Sequence, residues 1–186
     1  SLGNVLLLHD LLELHPPEAL RLRLLSGHYR QPLDWSEAAI AQATSTLDGW
    51  YRVLRDLAMV ELPPGELPVP ERIEAALCDD LNTPQALAEL SVLADAARQS
   101  GSAAAKAALL GGGALLGLLQ QDAEAWFRRG ESTVDAAHIE DLLQQRQAAR
   151  AARDFARADA IRDELAAMHI AIEDSAQGTR WSIAKP

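Results

Sequence analysis

Apolar residues recur every three or four positions along most of the chain, which is the spacing expected of α-helices with one buried face. Ser36 is a suitable N-cap, and the pattern after it predicts a helix of about six turns that ends near Leu57. Segments with the same spacing predict further helices at 5–14, 18–25, 71–77, 84–97 and 123–127. Most of the first 130 residues are therefore predicted to be helical.

Proline and glycine residues separate these predicted helices. Residues 62–70, LPPGELPVP, contain four prolines and are predicted to form a loop. Pro84 suits the first position of a helix whose N-cap is Asn82 or Thr83. Three glycines at 111–113 predict a break, and they lack the strand and the Lys-Ser/Thr that flank a phosphate-binding loop. Helices joined by short connections favour an antiparallel bundle.

The hydrophobic spacing changes near the end of the chain. A helical pattern from Asp135 and a second one from the N-cap Asp154 to Met168 are followed by two alternating segments, 170–174 and 179–183. Turn residues between those segments predict a β-hairpin. The predicted fold class is mainly α: an antiparallel helical bundle followed by a small α+β domain with a helix pair and a β-hairpin.

Charge and composition restrict the possible partners. The 186 residues carry a net charge of −10, which argues against broad, nonspecific binding of nucleic acid. The charge is uneven, because residues 1–143 have a net charge of −11 and residues 144–186 a net charge of +1. No apolar run reaches the roughly 18 to 20 residues of a membrane-spanning helix, so we expect a cytoplasmic protein without membrane contact. A polyanionic partner is expected to bind near the C-terminus.

Arginines gather in this C-terminal stretch. Four of them have the spacing i, i+4, i+7 and i+11, which predicts one face of a helix: Arg146, Arg150, Arg153 and Arg157. Arg162 lies half a turn away from that row, and Phe155 lies among the arginines. A charged row of this kind is often no more than a solvated helix face, and spacing alone favours that interpretation over a binding surface.

Several stretches occur in the same order as in cysteinyl-tRNA synthetases, a family of class I aminoacyl-tRNA synthetases. The opening Ser1-Leu2-Gly3-Asn4 resembles the end of the family's Lys-Met-Ser-Lys-Ser catalytic loop. Similar stretches follow at 24–30 (LLSGHYR), 79–84 (DDLNTP), 154–163 and 177–181 (QGTRW). The chain therefore resembles the C-terminal portion of a cysteinyl-tRNA synthetase, beginning within the catalytic loop.

This resemblance implies three segments with different roles. Residues 1–35 would be the tail of the ATP-binding catalytic loop followed by a segment that contacts the tRNA stem. Residues 36–130 would form a helical bundle of the anticodon-binding type, and residues 131–186 a small domain that recognises the anticodon. The catalytic domain would precede this chain, so we expect no catalytic residue, no metal site and no cofactor here. ATP and zinc are expected in the full-length enzyme.

By motif position, the resemblance assigns the anticodon contacts to Arg150, Phe155, Asp159, Arg162 and Asp174. Aromatic and guanidinium planes stack on the exposed bases of a single-stranded loop, and carboxylates accept hydrogen bonds from base amino groups. Further candidate tRNA contacts are His28, Tyr29, Arg30, Arg146, Arg153 and Trp181. Alternative interpretations remain open: Trp181 covers the small domain's core, Asp159 pairs with Arg162, and the loop at 28–30 packs against the catalytic domain.

The function that the resemblance implies is a part of a cysteine–tRNA ligase, which joins cysteine to its tRNA with ATP through cysteinyl-adenylate. This chain would bind cysteine tRNA as a monomer and would be inactive without the missing catalytic domain. One alternative is a free-standing, non-catalytic tRNA-binding relative. The other is a cysteine ligase of the mycothiol-synthesis type, which has no need of an anticodon-reading tail.

Overall fold

The structure is a computed structural model that describes residues 7–129, 136–175 and 178–183. Within those ranges the chain is mostly helical and ends in two strands, as the mainly α fold class predicts. Its contacts divide it into two compact units, Ser1–Ala123 and Glu124–Pro186, which we call the N-terminal unit and the C-terminal unit.

The N-terminal unit consists of helices whose ends match the start and stop signals in the sequence. They are α1 (Leu8–Leu14), α2 (Pro17–Leu25), α3 (Glu37–Asp56), α4 (Glu71–Cys78), α5 (Thr83–Ser100) and α6 (Ala103–Leu116). Ser36 caps α3 by accepting a hydrogen bond from the backbone N–H of Ala39 at 3.3 Å. Asn82, rather than Thr83, caps α5, because its side chain accepts from the N–H of Gln85 at 3.2 Å.

Helix α3 buries the apolar face that its sequence pattern predicts, including Leu47 and Trp50. Tyr51, on the same helix, is buried too and donates a 2.6 Å hydrogen bond to the buried carboxylate of Glu18 on α2. The other oxygen of Glu18 accepts from the backbone N–H of Gln120 at 3.0 Å. A buried carboxylate needs such partners, so these bonds fix α2, α3 and the segment after α6 together.

The predicted break at Gly111–Gly113 is wrong, because α6 runs through all three glycines. A side chain at Gly111 would place its Cβ only 2.0 Å from the carbonyl oxygen of Pro68, and at Gly112 the Cβ would lie 2.6 Å from the side chain of Ile73. The missing side chains therefore let the proline-rich loop and α4 approach α6 closely. The glycines serve packing, and the helix tolerates their backbone entropy cost.

The C-terminal unit contains the predicted helix pair and β-hairpin. Helix α7 (Ala123–Phe127) begins one residue before this unit; α8 (Ala136–Ala151), α9 (Phe155–Ala167), β1 (Ile170–Ser175) and β2 (Gly178–Ile183) follow. The strands are antiparallel, with Ile172 opposite Trp181 and Asp174 opposite Thr179. Both helices and both strands contribute to one apolar core, formed by Ile139, Leu142, Leu143, Ile161, Leu165, Ile170 and Trp181.

No helix within the described ranges is both long enough and apolar enough to cross a membrane.

Candidate nucleic-acid interface

The exposed face of α9 carries three of the five predicted anticodon contacts. Phe155, Asp159 and Arg162 have the spacing i, i+4 and i+7, so they lie on one side of the helix. The adjacent side of the helix packs into the core through Ala158, Ile161 and Leu165. Phe155 is 63% exposed, although an aromatic residue of this size is usually buried. This helix therefore presents an aromatic face, an acceptor and a donor in one row.

The four arginines do not share one helix, because a second helix begins after Asp154, the N-cap that the sequence predicts. Helix α8 ends at Ala151 and α9 begins at Phe155, while Arg153 between them has a φ of +60°. That left-handed conformation is unfavourable for a residue with a side chain, and it turns the chain into the second helix. Arg146 and Arg150 therefore lie on α8, and Arg157 lies on α9, where it donates to Gln145 of α8 at 3.1 Å.

Asp174 on β1 brings the arginines of α8 to the hairpin. Arg146 donates two hydrogen bonds of 3.0 Å, one to each carboxylate oxygen, and Arg150 donates a third at 2.7 Å. The hydroxyl of Thr179 on β2 donates the fourth, at 2.7 Å. Hydrogen bonds from Arg146 and then Thr179 hold the pKa of Asp174 well below its usual range. Asp174 is thus a stable carboxylate that ties one helix to both strands.

The two guanidinium groups on Asp174 differ in exposure. The Arg146 side chain is 11% exposed and the Arg150 side chain 51% exposed. The hydrogen bond to Asp174 raises the pKa of Arg146. Arg146 donates two parallel hydrogen bonds to Asp174, so this pair is more rigid than the pair of Arg150 and Asp174. Arg150 holds Asp174 through one hydrogen bond at the solvent-exposed side, so it is the partner that a ligand can displace more easily.

Asp159 lies on the exposed face of α9. Its charge makes a small contribution to the raised pKa of Arg146, after the hydrogen bond to Asp174 and the charge of that carboxylate. Asp159 also lies 3.6 Å from Arg162, whose second terminal nitrogen is 3.6 Å from Asp163. These separations are ion pairs longer than hydrogen bonds, and such exposed pairs are weak. The Asp159–Arg162 ion pair, which the sequence left open as an alternative, is therefore present at a separation longer than a hydrogen bond.

Trp181 lies in the core of the C-terminal unit. The residue is 2% exposed, and its ring nitrogen donates to Glu140 at 2.9 Å. The guanidinium of Arg128 lies 5.0 Å from its ring centre and 3.4 Å from Glu140. A ring covered in this way offers no face to a base, so the structure favours the core role that the sequence left open. Sequence reasoning missed Arg128, because the polar composition of residues 128–132 predicts a flexible break.

A second polar cluster lies in the N-terminal unit, between the loop after α2 and the turn before α5. Asp80 accepts from the hydroxyl of Tyr29 at 2.6 Å and from two nitrogens of Arg30 at 2.9 and 3.0 Å. The His28 ring stacks on Tyr29 at 4.9 Å. The bond to Asp80 raises the pKa of Tyr29, and the bonds from Arg30 and Tyr29 lower the pKa of Asp80. The sequence singled out both stretches, but it gave no signal that Asp80 joins them.

Two other expectations concern the catalytic loop and metal binding. Ser1, Leu2, Gly3 and Asn4, which were assigned to the tail of the ATP-binding loop, lie outside the described residues. In the part of the chain that the structure describes, no group of three or more His, Cys, Asp or Glu side chains is arranged to hold a metal ion.

Comparison with protein families gives matches along most of the chain. Residues 136–181 match the cysteinyl-tRNA ligase anticodon binding domain, and residues 72–120 match the DALR domain. Residues 1–45 match the class I (C) catalytic domain of tRNA synthetases. The exposed row on α9 and the Asp174 cluster both lie in the first of these segments.

Individual relatives agree with these matches. The chain is 56% identical over 185 residues to the cysteine–tRNA ligase of Xanthomonas campestris pv. campestris, and 55% identical over 195 residues to that of Xylella fastidiosa strain Temecula1. It is 53% identical over 188 residues to that of Rhodospirillum rubrum. Each alignment covers 97% of this chain but only 40 or 41% of the relative. The chain thus spans about two fifths of the length of these proteins.

Proposed function

We propose a function from the premise that this chain belongs to the cysteine–tRNA ligase family: it binds cysteine tRNA and reads the anticodon through its C-terminal unit. The observation that supports this most strongly is the exposed row of Phe155, Asp159 and Arg162 within the segment that matches an anticodon-binding domain. Its mixed charges suit hydrogen bonding to base edges, whereas a surface that holds only phosphates would be nearly all basic.

Each residue type has a role in this proposal. Phe155 stacks on an unpaired base, Arg162 donates to a base or phosphate, and Asp159 accepts from a base amino group. Arg153, in the turn before α9, is a further candidate contact with the backbone. Arg146 holds Asp174 through two hydrogen bonds, and the charge of Asp159 adds to the raised pKa of Arg146.

Asp174 needs an exchange of partners before it can contact a base. Its four hydrogen bonds from Arg146, Arg150 and Thr179 occupy the roughly four acceptor positions of a carboxylate. We propose that Arg150, the more exposed donor, moves to the RNA and leaves one acceptor position of Asp174 for a base amino group. Arg146 stays in place and keeps the carboxylate oriented.

The longer protein would carry out the reaction. We propose that it is a cytoplasmic, monomeric enzyme that attaches cysteine to its tRNA with ATP through cysteinyl-adenylate, and that ATP and zinc bind in the part that this chain does not include. The chain alone would then bind tRNA without catalysis. A free-standing tRNA-binding protein is the second candidate. A cysteine ligase of the mycothiol-synthesis type is disfavoured by the match of residues 136–181 to an anticodon binding domain.

Equilibrium binding of the 186-residue chain to a cysteine tRNA transcript tests the anticodon role. Phe155→Ala removes the stacking surface and is expected to cost about 1 to 3 kcal/mol of binding free energy. Arg162→Ala is expected to cost more than about 1 kcal/mol. The loss from Arg162→Ala should shrink when the transcript carries a changed anticodon, because a contact to a specific base edge is then already lost. The loss from Phe155→Ala should persist, since every base offers a face for stacking.

Matched variants in the N-terminal unit serve as controls. Arg98 pairs with Asp95 at spacing i, i+3, as Arg162 does with Asp159, and Val92 is an exposed apolar residue. Arg98→Ala and Val92→Ala should leave the dissociation constant unchanged. Equal weakening by Arg162→Ala for unrelated tRNAs would show a backbone contact without anticodon specificity. The anticodon role is wrong if Phe155→Ala binds every transcript as tightly as the wild type.

A further inference from the structure

The cluster around Asp80 has features that helix packing does not require. Tyr29, Arg30 and Asp80 are all exposed, yet three hydrogen bonds join residues about fifty positions apart in the sequence. Exposed side chains of this length are normally mobile, and fixing them costs conformational entropy. The bonds to Asp80 therefore hold Tyr29 and Arg30 in one arrangement at the surface of the N-terminal unit.

The backbone that supplies Asp80 is strained. Asp80 and Leu81 both have a φ of +51°, a left-handed conformation that is uncommon for residues other than glycine. Asp tolerates it better than Leu, whose side chain also remains exposed here. Backbone bonds from Leu81 to Leu77 and from Asn82 to Ala76 maintain the turn. Strain of this kind concentrates at functional sites, and here it places the carboxylate beside Tyr29 and Arg30.

The arrangement leaves Arg30 able to bind a second acidic group. Its Nε and one terminal nitrogen face Asp80, which uses two of the five N–H donors of a guanidinium. The Arg30 side chain is 64% exposed. A phosphate fits the remaining donors, because guanidinium and phosphate form paired hydrogen bonds. The guanidinium also lies 5.0 Å from the Tyr29 ring centre, so the aromatic ring borders the same spot.

We propose that Asp80 is a positioning residue that holds Tyr29 and Arg30 ready to contact the ribose–phosphate backbone of a tRNA outside its anticodon. This inference rests on the proposed tRNA binding, but it does not depend on anticodon reading. Because the charges of Asp80 and Arg30 cancel, the cluster adds little long-range attraction. Its contribution is that the donors of Arg30 are already held in place, so binding the RNA costs little further side-chain entropy.

The test measures dissociation constants of the full 186-residue chain for cysteine tRNA across a range of salt concentrations. Arg30→Ala is expected to weaken binding at least about threefold and to reduce the salt slope by about one, as loss of a phosphate contact does. Asp80→Ala should weaken binding too, and it should add nothing in a chain that already carries both Arg30→Ala and Tyr29→Phe, since it acts through those two residues. Tyr29→Phe, which removes one hydroxyl, should give a smaller loss.

Asp95→Ala is the matched control, because Asp95 forms an equally exposed pair with Arg98 at 2.9 Å. It should leave binding unchanged, and circular dichroism should show every variant folded. An unchanged dissociation constant for Asp80→Ala, an equal effect of Asp95→Ala, or a further loss when Asp80→Ala is added to a chain with both Arg30→Ala and Tyr29→Phe would each overturn the proposal.

Changing the anticodon of the transcript separates this proposal from the one above. The losses from Asp80→Ala and Arg30→Ala should be the same for both transcripts. If they persist while Phe155→Ala has no effect, anticodon reading fails and the positioning role of Asp80 stands. If the wild-type chain binds no tRNA, both proposals are wrong.

Discussion

At the scale of single residues, Asp174 shows how one carboxylate organises the C-terminal unit. It joins α8, β1 and β2 through four hydrogen bonds. Three of them come from the charged side chains of Arg146 and Arg150, and the fourth comes from Thr179. Hydrogen bonds between charged groups are stronger than neutral ones, but the half-exposed position of Asp174 reduces their net effect. The same residue would therefore contribute to stability and to RNA recognition.

We expect Asp174→Asn to lower the free energy of unfolding of the C-terminal unit by about 1 kcal/mol after allowance for solvent screening. Asp159→Asn is the control, because its longer, exposed pair with Arg162 should contribute less than about 0.5 kcal/mol. Urea denaturation of each variant measures both values. Equal stability of wild type and Asp174→Asn would show that the network contributes nothing to folding.

The lowered pKa of Asp174 predicts that the stability of the C-terminal unit depends on pH. The pKa of Asp174 is lower in the folded chain than the value of about 3.9 in an unfolded one. Its contribution to the free energy of unfolding is therefore complete at pH values above the unfolded-state pKa. The contribution is lost as the pH falls from there through the folded-state pKa. The stability difference between wild type and Asp174→Asn should therefore be constant near neutral pH and shrink in strong acid. A difference that grows with acidity would contradict the assignment.

At the scale of helices and loops, the glycines of α6 show where packing overrides local preference. Gly111 lies against the backbone carbonyl of Pro68, whereas a Cβ atom at Gly49 on α3 would meet no neighbouring element within 4 Å. Both glycines are helical, so their intrinsic helix propensities are alike. The difference between them lies entirely in their neighbours.

Gly111→Ala should destabilise the N-terminal unit by about 1 to 3 kcal/mol, because the new methyl group forces the loop that contains Pro68 away from α6. Gly49→Ala, the matched control, should stabilise the chain by about 0.5 to 1 kcal/mol through helix propensity. Thermal unfolding of both variants compares them directly. If alanine raises the stability at both positions, the close approach of Pro68 to α6 is not present in solution.

Periodicity and capping residues predicted most elements correctly, because they depend on neighbours in the sequence. Ser36 and Asp154 cap helices where the sequence placed them, and Asn82, one of the two candidates for its helix, caps α5. The continuity of α6 could not be predicted, since it depends on Pro68, more than forty positions away. The partner of Arg30 could not be predicted for the same reason. Asp80 is fifty positions away in the sequence, and a strained turn places its carboxylate beside Arg30.

At the scale of the whole molecule, the division into two units predicts the residue at which the C-terminal unit begins. Its contacts place Glu124 and Arg128 in that unit, although the sequence predicted its start at residue 131. Arg128 contacts Trp181 and Glu140, and Glu124 lies 4.0 Å from Arg180. Residues 124–129 are therefore expected to be part of the folded unit.

We expect a fragment of residues 124–186 to fold cooperatively and to be more stable than a fragment of residues 131–186. The loss of the Arg128–Trp181 contact alone should cost about 0.5 to 2 kcal/mol. Urea denaturation followed by tryptophan fluorescence compares the two fragments, and Arg128→Ala in the longer fragment isolates the contribution of that residue. Equal stability of all three proteins would favour residue 131 as the functional start of the domain.

The break between α8 and α9 has a consequence for how the two helices evolve. Helix α9 begins with its own cap, in which Asp154 accepts from the N–H of Arg157 at 3.0 Å, after the left-handed turn at Arg153. An inserted residue within α8 would rotate Arg146 by about 100° relative to the residues before it. The direction in which Phe155 points from α9 is set by the start of that helix at Asp154. Insertions and deletions within α8 should therefore leave the orientation of the ring unchanged.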